Sequence, residues 1–344
     1  MALLFQPLKL RAVTLRNRIA VSAMCQFSAR DGVPDDWHLV HLGSRAVGGA
    51  GAVIAEATAV EPRGRITTAD TGIWNEAQVE SWSRITHFVR AQGAVPGVQL
   101  AHAGRKAAAD VPAAGEAVVG PTAEPFSRDA AVPRALTAEE LPAIVRAFAD
   151  GARRALDAGF RLVEVHAAHG YLLHEFLSPL ANRRQDNYGR DRRRLLLEVV
   201  EAVRAVWPEE LPLLVRLSAT DWAAGGIDAE ETVETARRLR ERGVDLVDCS
   251  SGGVVPDVSV PEGPGYQVPF AAAVRRAAGV PSGAVGRITS PEQAERILAR
   301  GEADLILLAR ELLRDPYWPL HAARALGVDV PWPRQYQRAK PLLL

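Results

Sequence analysis

The chain has 344 residues, 48% hydrophobic and 24% charged, with Lys plus Arg and Asp plus Glu both at 41. That length fits one large α/β domain or two medium ones, and the composition excludes disordered, collagen-like and coiled-coil chains. Zero formal net charge leaves no global field to gather nucleic acid or an anionic membrane, so neither is expected as a partner.

The basic residues are almost all Arg, with Lys9, Lys106 and Lys340 the three exceptions, a bias read mainly as genomic background or heat adaptation. Cys25 and Cys249 cannot build a disulfide framework, and no CxxC or Cys-His cluster points to zinc or an iron–sulfur centre. Lys9, Arg11, Arg16 and Arg18 interrupt the first apolar stretch, so no secretory leader is read there. No uncharged apolar run approaches the ~20 residues that a membrane helix needs. A cytoplasmic location is expected.

Residues 4–18 alternate apolar and polar through Phe5, Leu8, Leu10, Val13 and Leu15, as a small N-terminal hairpin would. Short apolar runs then recur at 19–23, 52–56, 95–100, 161–166, 211–217, 244–249, 280–284 and 303–308. Between and after them the spacing predicts helices over 38–48, 75–92, 137–158, 191–206, 228–242, 267–278, 290–300 and 315–326. Thr137 with Glu140 and Ser290 with Gln293 have capping-box spacing, and Gly159, Gly243, Gly279 and Gly301 stand where helices should stop. Eight strand-helix units predict an α/β fold, a (β/α)8 TIM barrel forming a single domain over 1–344. A doubly wound open sheet is the alternative, but the GxGxxG fingerprint that would favour it after the first strand is missing.

The longest irregular stretch, 103–136, carries Gly104, Pro112, Gly115, Gly120, Pro121, Pro125 and Pro133. It follows strand 3, so a barrel would set this extended loop on the catalytic face as a lid. The tail, 329–344, holds Pro331, Trp332, Pro333, Tyr336 and the closing Leu342, Leu343 and Leu344, and docking on a neighbouring subunit is expected for it.

A barrel displays its chemistry at the C-terminal ends of its strands. Those ends deliver Met24, Cys25, Gln26 and Phe27, then Ala57, then Gln99, His102, Arg105 and Lys106, then His166, His169 and Tyr171, and later Arg216, Ser250 and Arg310. Gly283, Gly286, Ala309 and Arg310 after strands 7 and 8 suit a phosphate cradle, although the glycines could equally make tight turns. His166 and His169 can ligate metal with Glu164, act as acid or base, donate hydrogen bonds to a carbonyl or nitro oxygen, or serve as structural residues. Tyr171 is a candidate proton donor or an aromatic plug. Cys25 is a reactive thiol or an inert small hydrophobe.

Five runs together resemble the Old Yellow Enzyme flavoproteins: Ser22-Ala23-Met24-Cys25-Gln26-Phe27-Ser28, Gln99 through Lys106, His166-Ala167-Ala168-His169-Gly170-Tyr171, Phe176 through Arg183, and Gly283-Ala284-Val285-Gly286. They span nearly the whole chain in the family's order. Cys25 and the Gln-Leu-Ala-His-Ala-Gly-Arg-Lys run are similar to the bacterial thermophilic-like or xenobiotic reductase subgroup.

The resemblance implies an ene reductase or NADPH dehydrogenase with non-covalent FMN, reduced by NADPH or NADH and reoxidised by an enone or nitroalkene in ping-pong turnover. It implies that Ser22, Ala23, Met24, Cys25, Ala57, Gln99 and Arg216 hold the flavin ring and ribityl chain, and that Gly283, Gly286, Ala309 and Arg310 hold the phosphate. It places His166 and His169 on the substrate oxygen, Tyr171 as α-carbon proton donor, Cys25 beside the reactive face, and Phe27 where many members carry tyrosine. Lys106 also matches. Arg338 resembles an arginine that some members insert into a neighbour's active site, so a homodimer or homotetramer is expected. Asn187-Tyr188-Gly189-Arg190 usually continues Gly-Gly-Ser in the family, and Arg190-Asp191 departs from that. No resident metal is expected. The rival reading is a metal-dependent barrel hydrolase using Glu164, His166 and His169.

Overall fold

The structure, a computed structural model, describes residues 2–113 and 116–341. Strands β1 (Leu8–Leu10) and β2 (Val13–Leu15) form the expected antiparallel hairpin. The chain then enters β3 (Ile19–Val21), α1 (Asp36–Val47), β4 (Ala52–Ala59), α2 (Glu76–Ala91) and β5 (Val95–Ala101). Within the long loop, β6 (Val119–Gly120) pairs with β7 (Arg134–Ala135). There follow α3 (Leu141–Asp157), β8 (Leu162–Ala167), α4 (Leu172–Leu177), α5 (Asn187–Arg190), α6 (Arg194–Val206), β9 (Leu213–Ser218), α7 (Ala229–Arg240) and β10 (Leu246–Ser250). The chain ends through α8 (Val268–Ala273), β11 (Ser282–Ala284), α9 (Pro291–Ala299), β12 (Leu305–Leu308), α10 (Arg310–Arg314) and α11 (Trp318–Ala325).

Eight parallel strands close on themselves in the order β3-β4-β5-β8-β9-β10-β11-β12, with β12 pairing β3. All eight predicted runs are barrel strands. Each is covered on the outside by helices and filled inside by side chains, so β4 is buried along its whole length and reads as a continuous apolar run. Trp82, Phe148, Phe160 and Trp207 are fully buried beneath the helices, and Trp82 meets Phe160 edge-to-face at 5.4 Å.

The hairpin lies at the N-terminal end of the barrel. Ala12 N–H donates to Glu210 O ahead of β9, Arg11 pairs with Asp245 ahead of β10, and Arg16 donates to the carbonyls of Ala46, Ala50 and Gln92 ahead of β4 and β5.

Local expectations differ in four places. The first barrel strand stops at Val21, leaving Ser22 and Ala23 to the mouth. The helix expected over 315–326 is α11, preceded by a short helix α10 that the spacing does not predict, and the one expected over 267–278 is α8 continued by a π-helical turn, Val274–Ala278. The Thr137–Glu140 box forms only in part: Glu140 accepts the Thr137 N–H at 2.8 Å, but it is also clasped by Arg134, and helix α3 begins one residue later. Ser290 caps α9 through Gln293 N–H, while the Gln293 side chain turns to Thr289 N–H. All four expected stop glycines have left-handed φ, from 64° to 84°.

The tail folds back on its own subunit. Residues Arg334–Ala339 form an exposed 3-10 turn, Tyr336 approaches Tyr317 at 6.2 Å, and Lys340 pairs with Asp329. Leu342 to Leu344 and Gly115 lie outside the described residues. The departing Asn187–Arg190 segment is a short helix capped by Asp186, held by Asn182 Nδ2 donating to Tyr188 O and by Tyr188 Oη donating to Glu198.

Candidate active site

Strand β8 ends by lifting three rings into the mouth. His166 and His169 stand edge-to-face at 5.1 Å, and His166 and Tyr171 at 5.2 Å. The turn that makes this possible is tight. His169 takes a left-handed φ of 60°, its N–H donates to Ser218 Oγ at 2.9 Å, and a Cβ on Gly170 would lie 2.0 Å from Gly253 O. Gly170 N–H donates to His174 Nδ1, and His174 Nε2 pairs with Asp221, so a buried imidazole-carboxylate pair supports the turn from behind. Lys106, from the loop after β5, donates to His169 O and Gly253 O and lies over the Tyr171 ring at 5.1 Å.

The electrostatics keep these groups neutral. Burial, then the charge of Arg216, holds both imidazoles well below the ordinary histidine value. His166 Nδ1 accepts Ala168 N–H at 3.3 Å, which leaves its proton on Nε2 as a donor. His169 Nε2 is 2.7 Å from Ser250 Oγ. Burial pushes the Tyr171 phenol up, so it keeps its proton at neutral pH.

Opposite, the segment after β3 carries Ala23, Met24 and Cys25 half-buried and Phe27 52% exposed. Phe27 has a left-handed φ of 50°, an unfavourable conformation for a bulky residue. Burial, then Glu56 and Asp70, pushes the Cys25 thiol up, which keeps it protonated at neutral pH. Ligand atoms of Cys25, Glu56 and Asp70 lie within 4.8 Å of one another. Both carboxylates are already engaged, Glu56 by Gln26 N–H and His38, and Asp70 by Ile66 and Thr67 N–H.

The floor is polar. Arg216 Nη1 donates to Ser22 Oγ at 2.8 Å, and Gln99 Nε2 donates to Glu164 Oε1 at 2.7 Å. Ala57 sits opposite Gln99 at a bulge in the β4–β5 pairing. Glu164 therefore serves the barrel interior. Glu164, His166 and His169 do not converge as ligands among the described residues, which removes the geometric basis of the hydrolase reading.

Beyond Arg216 a cavity of about 490 Å³ is lined by Ser250, Gln267, Gly286, Ala309 and Arg310. Arg287 pairs with Glu262 and Arg314 with Glu311. Arg310 is exposed and makes no hydrogen bond or ion pair with any described residue, so its guanidinium is free for an anion. Gly286 is needed there: its φ is 111°, and a Cβ would lie 2.7 Å from Gln267 Nε2. Gly283 is a correction. It lies buried inside β11, where a Cβ would strike Leu307 at 2.4 Å, and it does not line the cavity. Arg338 is exposed, is unpaired among the described residues and is not on the cavity wall.

These features fit FMN: a free arginine and a glycine turn for the phosphate, and a buried arginine and amide for the ring. Sequence reasoning missed Ser218, Asp248, Gln267, Glu56 and Asp70. For Asp248 the signal was its period-two alternation with Ser250 on strand β10, which turns both to one side.

The family model of the NADH:flavin oxidoreductase / NADH oxidase family matches residues 3–328. An NADPH dehydrogenase of Geobacillus thermodenitrificans is 50% identical over 340 residues, covering 97% of this chain and 98% of that one. One from Listeria innocua is 48% identical over 344 residues, with 98% and 99% coverage. Among solved structures, the Old Yellow Enzyme homologue of Zymomonas mobilis superposes with a TM-score of 0.82 at 29% identity, covering 99% of both chains. Morphinone reductase in complex with tetrahydroNAD superposes with a TM-score of 0.81 at 30% identity, covering 96% of this chain and 92% of that one. The chain belongs to the NADH:flavin oxidoreductase / NADH oxidase family and is an FMN-dependent oxidoreductase of the Old Yellow Enzyme type.

Proposed function

We propose that this oxidoreductase reduces the activated C=C bond of α,β-unsaturated carbonyl or nitro compounds at the expense of NADPH or NADH. The observation that carries the reading is the cluster of two neutral imidazoles and a protonated phenol, His166, His169 and Tyr171, at one wall of the mouth. Ser22, Ala23, Met24, Cys25, Ala57, Gln99 and Arg216 would hold the ring and ribityl chain of FMN, and Gly286, Ala309 and Arg310 its phosphate. Bound there, FMN would supply the hydride chemistry that links oxidation of the nicotinamide to reduction of the alkene.

The protein supplies position and protons. N–H donors of His166 and His169 hold the carbonyl or nitro oxygen and draw charge onto it, which makes the β-carbon electrophilic. Tyr171 gives its phenolic proton to the α-carbon from the opposite face, so addition is trans. Cys25, as a neutral thiol, borders the reacting face. Phe27 lines the substrate opening without the hydroxyl that a tyrosine would bring. The chain acts as a homodimer or homotetramer in which Arg338 reaches a neighbour's mouth, a role supported by its exposure and lack of partners.

The test is optical. Purified protein should be yellow, bleach with NADPH and recover on adding 2-cyclohexenone. Flavin that bleaches but is not reoxidised by the enone would overturn the substrate assignment.

A further inference from the structure

Glu164 and Asp248 are fully buried inside the barrel, on strands β8 and β10 that flank β9. Asp248 is the register partner of Arg216, and its Oδ2 lies 3.2 Å from Arg216 Nε. The two carboxyls are close enough to interact directly. Taken as two carboxylates, the arrangement fails: Glu164 Oε2 and both Asp248 oxygens then lack a donor, and two negative charges face one guanidinium in a dry interior. A proton on one carboxyl relieves this, because its O–H gives one of the orphaned oxygens a donor and leaves a single negative charge for Arg216. Burial raises both acids; at Glu164 the charge of Asp248 adds to the rise, whereas at Asp248 the charge of Arg216 and the contact with Glu164 pull the other way.

The surroundings say where the proton sits. Asp248 faces Arg216, which favours its charged form. At Glu164 repulsion from Asp248 outweighs the pull of Arg216, the amide of Gln99 from β5 that donates to it is uncharged, and the next inward residue on β8 is the neutral His166. On the other side of Asp248, β11 presents Gly283. Arg216, on β9, is the cation that acts on the pair among the described residues.

We propose that Glu164 and Asp248 share one proton, carried by Glu164, and together act as positioning residues that set how much of the Arg216 charge reaches the flavin. Asp248 offsets and aims the guanidinium, while protonated Glu164 keeps a second negative charge out of the floor. Neither residue touches substrate. The inference rests on the reading that Arg216 borders the flavin ring.

Two measurements on FMN-loaded enzyme test it. The infrared difference spectrum of wild type minus Glu164→Gln should show a protonated-carboxyl band that shifts in heavy water; the protonated Glu175 is common to both proteins and cancels. Glu164→Gln mimics the protonated acid, since its amide can donate to Asp248, so its flavin midpoint potential should stay near wild type. Asp248→Asn leaves Arg216 without its counter-charge and should raise the potential and tighten binding of reduced FMN relative to oxidised FMN. No carboxyl band in the difference spectrum overturns the shared proton, even if Asp248→Asn fails to fold. An unchanged potential in folded Asp248→Asn overturns the tuning role. A wild-type chain that takes up no flavin would instead refute the functional reading.

Discussion

Lys106 Nζ donates to the main-chain oxygen of His169 at 2.8 Å, so an ammonium from the loop after β5 clamps the turn that carries the histidine pair. Burial lowers this lysine to about 8, so it is charged below that pH and neutral above it. Enone turnover is expected to fall as pH rises through about 8, and Lys106→Met should be slow and flat over the same range. Flavin content should not change, because Lys106 is remote from the phosphate cavity. A pH profile of Lys106→Met that parallels wild type would contradict the assignment.

If His166 and His169 hold the substrate oxygen, replacing either by Ala removes a preorganised donor, worth ~100-fold in turnover. Phenol binding should weaken in parallel while FMN stays bound. Stopped-flow reoxidation by 2-cyclohexenone reads this directly, and unchanged rates would contradict the role.

Arg310 lines the cavity proposed for the phosphate and has no hydrogen-bond or ion-pair partner among the described residues. Charge-assisted hydrogen bonds contribute about 1.5–3 kcal/mol, so Arg310→Ala should weaken FMN binding by roughly 10- to 100-fold. Flavin dissociation on dilution measures it. Retention equal to wild type would move the phosphate elsewhere.

Glu175 is buried against Arg105 N–H, and burial raises its carboxyl to about 8. In the unfolded chain a glutamate titrates near ~4.3, so between these values the folded state binds more protons. Its contribution to stability is therefore complete below the unfolded value and is lost as pH rises through about 8, with a slope of at most ~1.4 kcal/mol per pH unit. Glu175→Gln should flatten the fall in Tm over that window. A Tm profile unchanged in slope would show that this carboxyl is not held protonated.

Removing residues 330–344 should change both oligomer mass and activity if Arg338 reaches a neighbour. A fully active truncated monomer, seen by light scattering and turnover, would end that idea.

Much of this was legible before any coordinates. Barrel strands are buried on both faces and so read as unbroken apolar runs, and the polar residues that punctuate their C-terminal ends marked the mouth. Gly283 lies within its apolar run, and what the run does not disclose is that a Cβ there would meet Leu307 of the adjacent strand β12. The proton shared by Glu164 and Asp248 was invisible because it depends on barrel closure bringing β8 and β10 to either side of Arg216. Glu164 in isolation looked like a metal ligand. Thr137 misled for a local reason: Glu140 does accept its N–H, but α3 begins only at Leu141, so Glu140 itself stands at the cap position and no side chain caps the helix.

The hairpin β1–β2 has a kinetic consequence. It stoppers the end of the barrel opposite the histidines, so the cylinder has one door. On the proposed ping-pong turnover, reductant and oxidant would share that opening, and an excess of either is expected to obstruct the other's turn.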